Sequence, residues 1–277
     1  MVSQHIVNLP CRFPFPDHWS ANPEGNAVHF VELSPRSLEW RTMQAHLERT
    51  LPNCLVYLVL RCVTGVSQAC CVRAHLCLCI PRISSTRVQH TTAWERYNIA
   101  KRRIARDNAS IDEPVTRIEE MMWHGTSTST PRVICEGSDG LDFRMVRSVL
   151  SSKPRVHWIA DVAVGVVAFN LQSRAGLYGR GLYFAERAAY CHENFAYSVP
   201  CTQLRKRLIY ARVLVGREYD LGTDTEETLT KPPPGYHSIV GGPHKFNADS
   251  REASRMCVVY DNAQVYPQYI IEYEKGC

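Results

Sequence analysis

The sequence predicts an α+β fold, on three observations. Two amphipathic helical patterns stand in the first half. Runs rich in β-branched and aromatic residues crowd the second half. Nothing between them repeats the strand–helix–strand alternation of a parallel sheet, and no internal repeat is visible.

The elements follow in order. Residues 1–26 are rich in Pro, Asn and His and read as irregular. AVHFVELS (27–34) alternates well enough to be a strand. SPRSLEWRTMQAHLERTL (34–51) places Leu38, Met43, Leu47 and Leu51 near helical spacing, with Ser34-Pro35 reading as an N-cap and a first-turn proline. TTAWERYNIAKRRIARDNA (91–109) is the second helix, with Trp94, Tyr97, Ala100 and Ile104 near one stripe. VTRIEEMMWHGTS predicts a strand that ends at His124-Gly125. RLIYARVLVGREY and SRMCVVYDNAQVYPQYIIEYE read as strands, and TKPPPGYHSIVGG as a loop. Two segments fit badly: 54–81 and 147–173 are apolar, weakly periodic and poor in acidic residues. Composition alone makes each a buried helix or strand.

With 277 residues, the chain suits one large domain or two modest ones. The formal charge is +5, from 32 basic and 27 acidic residues, and the excess is scattered. A nucleic-acid binder concentrates its basic charge on one face. Lys101-Arg102-Arg103 and Arg205-Lys206-Arg207 therefore read as solvated faces, and nucleic acid is not indicated, although an anionic ligand would be welcome. The first 20 residues carry no secretory pattern, and no apolar run is long enough for a spanning helix, so no membrane is implied. Of 12 cysteines, Cys62, Cys70, Cys71, Cys77 and Cys79 crowd into one segment without the two-residue gap that grips zinc. The rest are scattered, as thiols in a reducing cytoplasm or nucleus would be, and no metal site is implied.

The stretch RAGLYGRGLYFAERAAYCHENFAY (174–197) holds three glycines and four tyrosines. Gly176-x-x-Gly179-x-Gly181 reverses the dinucleotide spacing and precedes a strand, so it cannot aim a helix terminus at a phosphate. The Gly-Lys-Ser/Thr of a phosphate-binding loop is absent. Two readings stay open. The glycines let backbone approach a flat ligand that Tyr183 and a later tyrosine stack upon, which suits a cationic ring. Otherwise they make a hairpin turn beside core aromatics. A lone histidine such as His124 is more often structural than functional. The ordered set of His-Gly-Thr closing a strand, a later Gly-x-Gly-x-Tyr-Phe-Ala strand and a final Tyr-Asp-x-x-Gln-x-Tyr-Pro-x-Tyr is far more specific.

That set resembles the ADP-ribosyltransferases of the poly(ADP-ribose) polymerase family, most closely the branch that adds single ADP-ribose units. The pieces are VQHTTAWERY (88–97), WHGTS (123–127), YGRGLYFAERAAY (178–190), YHSIVGG (236–242) and VVYDNAQVYPQYIIEY (258–273), with FPDHW and VELSPRSLEW resembling the domain's entry. The resemblance implies an ADP-ribosyltransferase fold, two packed, mainly antiparallel sheets with a few flanking helices. It implies a domain from about Phe15 to residue 277, after an N-terminal tail of residues 1–14. Insertions at about 54–81 and 147–173 interrupt it.

It also implies NAD as substrate, an acceptor protein as partner, and a cofactor-binding set of His124, Gly125, Thr126, Tyr183, Tyr190, Cys191 and Tyr197. His124 would bond a ribose 2′-hydroxyl, Gly125 would meet the nicotinamide amide through its backbone, and Tyr183 would line one side of the ring. Tyr197 is the better match for the opposing tyrosine, with Tyr190 the alternative. His124, Tyr183 and Met256 fill the family's catalytic His-Tyr-Glu positions, the last with a thioether in place of a carboxylate. Without that carboxylate an incoming ADP-ribose is not activated, and the acceptor brings its own. Single-unit transfer is the activity implied.

Two departures favour a rival, a transferase-like module without turnover. Cys191 stands where the family has a serine that bonds the amide; its weak donor loses about 1 kcal/mol. The insertion at 147–173 falls in the loop that crosses the NAD site. Both insertions read more as arbitrary translated sequence than as evolved covers.

Overall fold

A computed structural model describes residues 13–19, 28–51, 84–110, 114–127, 129–136, 176–200, 205–242 and 253–274. Both insertions lie outside these residues.

Helix α1 spans Leu38–Thr50, and its cap is not the one expected. Ser37, in extended backbone, accepts the Trp40 N–H on its hydroxyl oxygen at 3.1 Å. Ser34 instead closes the preceding turn, its carbonyl accepting the Ser37 hydroxyl at 2.7 Å. Pro35 therefore belongs to that turn. Met43, Leu47 and Leu51 are buried as the spacing predicts, but Leu38, at the first helical position, faces solvent. Helix α2 spans Thr91–Ala109 and buries Ala93, Tyr97, Ala100 and Ile104, the expected stripe except for Trp94, which is half-buried. Its N-cap is His90, whose ring accepts from the Ala93 N–H. Two short helices complete the set among the described residues, α3 (Pro131–Cys135) and α4 (Ala188–Asn194).

Strands β1 (Val28–Glu32), β2 (Ser84–His90) and β3 (Glu119–His124) come from the first half. After the glycine turn come β4 (Leu182–Ala185), β5 (Tyr197–Ser198), β6 (Arg205–Leu214) and β7 (Glu218–Asp220). The last are β8 (Ser238–Gly241), β9 (Met256–Val259) and β10 (Val265–Glu274). RLIYARVLVGREY, read as one strand, breaks into β6 and β7 at Gly216, where φ is +54° and the His237 ring packs against the glycine. The last predicted strand breaks at Asp261, whose carboxylate caps the 3-10 turn Asn262–Gln264. β8 lies inside the stretch read as a loop.

The strands form one hydrogen-bonded order, β1-β2-β10-β6-β3-β4-β9-β8-β7, with β5 also on β6. All pairings are antiparallel except β7–β8. The two sheets expected are thus joined, but by little: β3 and β4 meet only at Trp123↔Ala185. The ladders on either side, six strands with β5 included and four, are otherwise separate. β6 is buried on both faces. Ile209, Ala211 and Val213 pack with Tyr97 and Ile104 of α2, while Leu208 and Tyr210 pack with Met43, Leu47 and residues of α4. This sandwiching holds the end of β3 in place.

Residues 13–19 belong to the same body. Trp19 stacks on Tyr266 at 6.2 Å and lies 5.7 Å from Trp94, whose indole N–H donates to the Pro14 carbonyl.

Candidate functional site

The site forms where β3 and β4 part. Beyond the Trp123↔Ala185 pair a side chain supplies the next rung: His124 Nδ1 lies 2.9 Å from the Tyr183 carbonyl oxygen. A carbonyl only accepts, so Nδ1 carries the proton. Burial lowers the His124 pKa, and the bond to Tyr183 opposes this only in part. The ring is therefore neutral at neutral pH, and its other nitrogen, Nε2, presents a lone pair.

Gly125 and Thr126 follow. A Cβ on Gly125 would lie 2.5 Å from the Cβ and the carbonyl oxygen of Phe195, so no side chain fits there. The Phe195 carbonyl accepts the Ser127 N–H at 2.7 Å, and Ser127 has φ of +50°. Thr126 is fully buried and its hydroxyl donates to the Ser129 carbonyl. It braces the turn at a residue expected to meet the cofactor. Cys191, on α4, is buried, and burial pushes its thiol up to about 12, with the nearby Gly125 backbone pulling the other way.

Tyr183 is held at its hydroxyl. It donates to the Gly179 carbonyl at 2.7 Å and accepts from the Tyr178 N–H at 3.0 Å. The glycines are explained by protein neighbours. A Cβ on Gly176 would strike the Tyr183 hydroxyl, one on Gly181 the Val258 side chain, and one on Gly179, at φ of +77°, the Leu229 carbonyl. The turn reading thus accounts for their spacing, and the tyrosine hydroxyl locks that turn. A loop is fastened alongside: the Arg180 N–H donates to Leu229 and the Glu226 N–H to Leu177, each at 2.8 Å.

The register assigns faces. Tyr183 pairs with Val258, Ala185 with Met256, Ile239 with Val258 and Gly241 with Met256. These side chains share one face. Tyr183 and Met256 accordingly join one apolar cluster with Tyr178, Ile239 and Tyr190. Met256 is buried, with no carboxylate in its place.

The opposing tyrosine departs from expectation. Tyr197 sits in β5, opposite Arg207, while His124 stands opposite Ile209. β10 fills the other edge of β6, so β5 continues the line of β3 and carries Tyr197 two steps past His124. Tyr190 is the tyrosine that α4 turns back into the cluster of Tyr183, and its ring is 5.7 Å from Phe195. Phe195, which abuts Gly125, and Tyr178 were not singled out from sequence. An aromatic just after the AAYC piece was the available signal for the first.

Comparisons with known proteins point to one family. The profile of the poly(ADP-ribose) polymerase catalytic domain matches residues 80–275. The chain is 26% identical over 265 residues to protein mono-ADP-ribosyltransferase PARP12 of Homo sapiens, covering 93% of this chain and 28% of that protein. Against PARP12 of Mus musculus it is 27% identical over 187 residues, 68% of this chain and 21% of that one. A probable poly [ADP-ribose] polymerase of Dictyostelium discoideum is 22% identical over 198 residues, 70% of this chain and 44% of that protein. The chain therefore spans less than half the length of each of these relatives.

Proposed function

This chain belongs to the poly(ADP-ribose) polymerase catalytic-domain family, and from that premise we propose that it transfers single ADP-ribose units from NAD to an acceptor protein, releasing nicotinamide. The carrying observation is Met256: it shares a face and a cluster with Tyr183, where a carboxylate able to activate an incoming ADP-ribose hydroxyl would stand.

The residues present suit NAD. His124 Nε2, an acceptor in the neutral ring, takes a ribose hydroxyl proton in a hydrogen bond. The Gly125 backbone, free of any Cβ, faces the amide. Tyr183 and Tyr190 supply aromatic faces for a cationic ring. Breaking the glycosidic bond passes through an oxocarbenium-like state, as in glycoside hydrolysis, and these contacts act by positioning. Met256 offers no general base, so the acceptor contributes its own carboxylate. We take the domain that does this to begin near Phe15, a reading supported by the packing of Trp19 and Trp94 on Tyr266.

The test is incubation of the protein with labelled NAD, then a gel and peptide mapping. Discrete label at one unit per modified side chain is expected. Long polymer would overturn the single-unit reading, and free ADP-ribose without labelled protein would make the chain an NAD glycohydrolase.

One observation favours a second reading, a binding module without turnover: the residue at 191, where the resemblance has a serine for the nicotinamide amide, is a buried thiol and so only a weak donor. A ligand that binds only the folded state raises its melting temperature by mass action. An unchanged melting temperature at saturating NAD would select this module.

A further inference from the structure

Tyr178 is fully buried, yet among the described residues its phenolic oxygen has no hydrogen-bond partner. Leaving a buried hydroxyl unpaired costs about 1–3 kcal/mol, so such groups are few in native proteins and call for a reason. The neighbourhood supplies one. A Cβ on Gly241 would lie 2.5 Å from the Tyr178 hydroxyl, so the phenol rests over that glycine. Gly241 is the register partner of Met256, and Tyr178 and Met256 share one apolar cluster. The ring is also stacked on Tyr183, with centroids 6.4 Å apart. A donor hydroxyl without a partner thus stands beside the position that lacks a carboxylate.

We propose that the Tyr178 hydroxyl binds the acceptor's carboxylate. This rests on the reading of the chain as a transferase. A phenol that keeps its proton is a donor, and a carboxylate entering an apolar cluster needs one. The thioether of Met256 offers no donor. Its unbranched chain, with three rotatable bonds, yields space at low cost. One acceptor oxygen takes the Tyr178 hydrogen bond. The other forms the new bond to the anomeric carbon as the bond to nicotinamide breaks. The bonding pair leaves on the ring nitrogen, nicotinamide departs neutral, and Tyr178 keeps its proton. The acceptor class this selects is Asp or Glu side chains in preference to Ser or Lys.

The experiment compares the wild type with Tyr178→Phe, which removes one oxygen and keeps the ring. Three readouts are taken: thermal unfolding, transfer to a glutamate-containing peptide, and calorimetric binding of that peptide in the presence of a carbocyclic NAD analogue that cannot release nicotinamide. The variant is expected to melt at or above the wild-type temperature, since an unpaired buried hydroxyl is gone. Its KM for peptide should rise, and its peptide affinity fall, about tenfold, the worth of one hydrogen bond to a charged group, with KM for NAD unchanged. Equal peptide affinity in the two proteins, or none in either, overturns the proposal. Peptide binding without transfer by the wild type would instead sink the transferase reading and leave the binding result to stand.

Discussion

His124 Nδ1 and the Tyr183 carbonyl oxygen are 2.9 Å apart, so two residues expected to grip one ligand are first bonded to each other. The bond replaces a backbone rung where β3 and β4 separate. It fixes the imidazole tautomer and anchors the chain at Tyr183, while the Tyr183 hydroxyl fixes the glycine turn. The contacts expected for ligand and the upkeep of the fold therefore fall on the same two residues, through different atoms.

His124→Ala separates the two. The variant loses the lone pair at Nε2 and the bond to Tyr183. Transfer from labelled NAD should fall to background. The fold should survive with about 1–3 kcal/mol less stability, the worth of a buried acceptor left unpaired. Circular dichroism and urea titration measure the second effect. An unfolded variant would show that the bond to Tyr183 is a requirement of folding rather than a support.

The same histidine gives acid sensitivity. Burial holds its folded pKa below 6.5, so as pH falls under that value the unfolded chain binds protons that the folded chain refuses. Its contribution to stability is complete above 6.5 and is lost as pH falls toward the folded value. His237 is shifted the same way, burial first, with Asp107 opposing. Melting temperature should drop between about pH 7 and pH 5, and less steeply in His124→Gln. Transfer rate should hold through pH 6.5, because Nε2 keeps its lone pair there. A rate that titrates with a midpoint at 6.5 would mean the ring is not shielded in the working state.

Two glycines with positive φ offer a contrast. Gly222, at +56°, has open space where a Cβ would go; Gly179, at +77°, faces the Leu229 carbonyl inside contact distance. Gly222→Ala should cost only the left-handed backbone term, about 1–2 kcal/mol. Gly179→Ala should cost more, and should also weaken the thermal shift produced by NAD, since the Gly179 carbonyl accepts the Tyr183 hydroxyl. Equal losses in the two variants would show that the turn and its neighbouring loop adjust freely.

Much of this was legible in the residues, and the failures have physical causes. Helix α2 and the end of β3 at His124 fall where periodicity predicts, because each has a strong apolar pattern against one packing face. Ser34 lost the cap to Ser37 because the serine oxygen must reach an N–H three residues on, and only Ser37 reaches Trp40. β8 hides behind three prolines, and its four residues are strand only because β7 and β9 flank them. Helix α4 has no side-chain cap, so nothing local announces its start. Spacing ranked Tyr197 above Tyr190, whereas the placement rests on where α4 turns the chain. The single pair that joins the two halves of the sheet is a tertiary contact that no local pattern encodes.

Met256→Glu tests whether one side chain separates single-unit transfer from chain growth. The new carboxyl would stand in an apolar cluster, flanked in register by Ala185 and Gly241. Desolvation there disfavours its charged form and raises its pKa. Burial without full pairing costs about 1–3 kcal/mol. The Tyr178 hydroxyl is an unpaired donor in that cluster, so Met256→Glu should be less destabilising beside Tyr178 than in a Tyr178→Phe background. A double-mutant cycle on urea midpoints measures that coupling. Labelled NAD should still yield single units, because holding a growing chain also needs a surface to seat its terminal ADP-ribose, which one substitution does not build. Polymer from this variant would show that the carboxylate alone confers elongation, and an absence of coupling to Tyr178 would separate that hydroxyl from the position at residue 256.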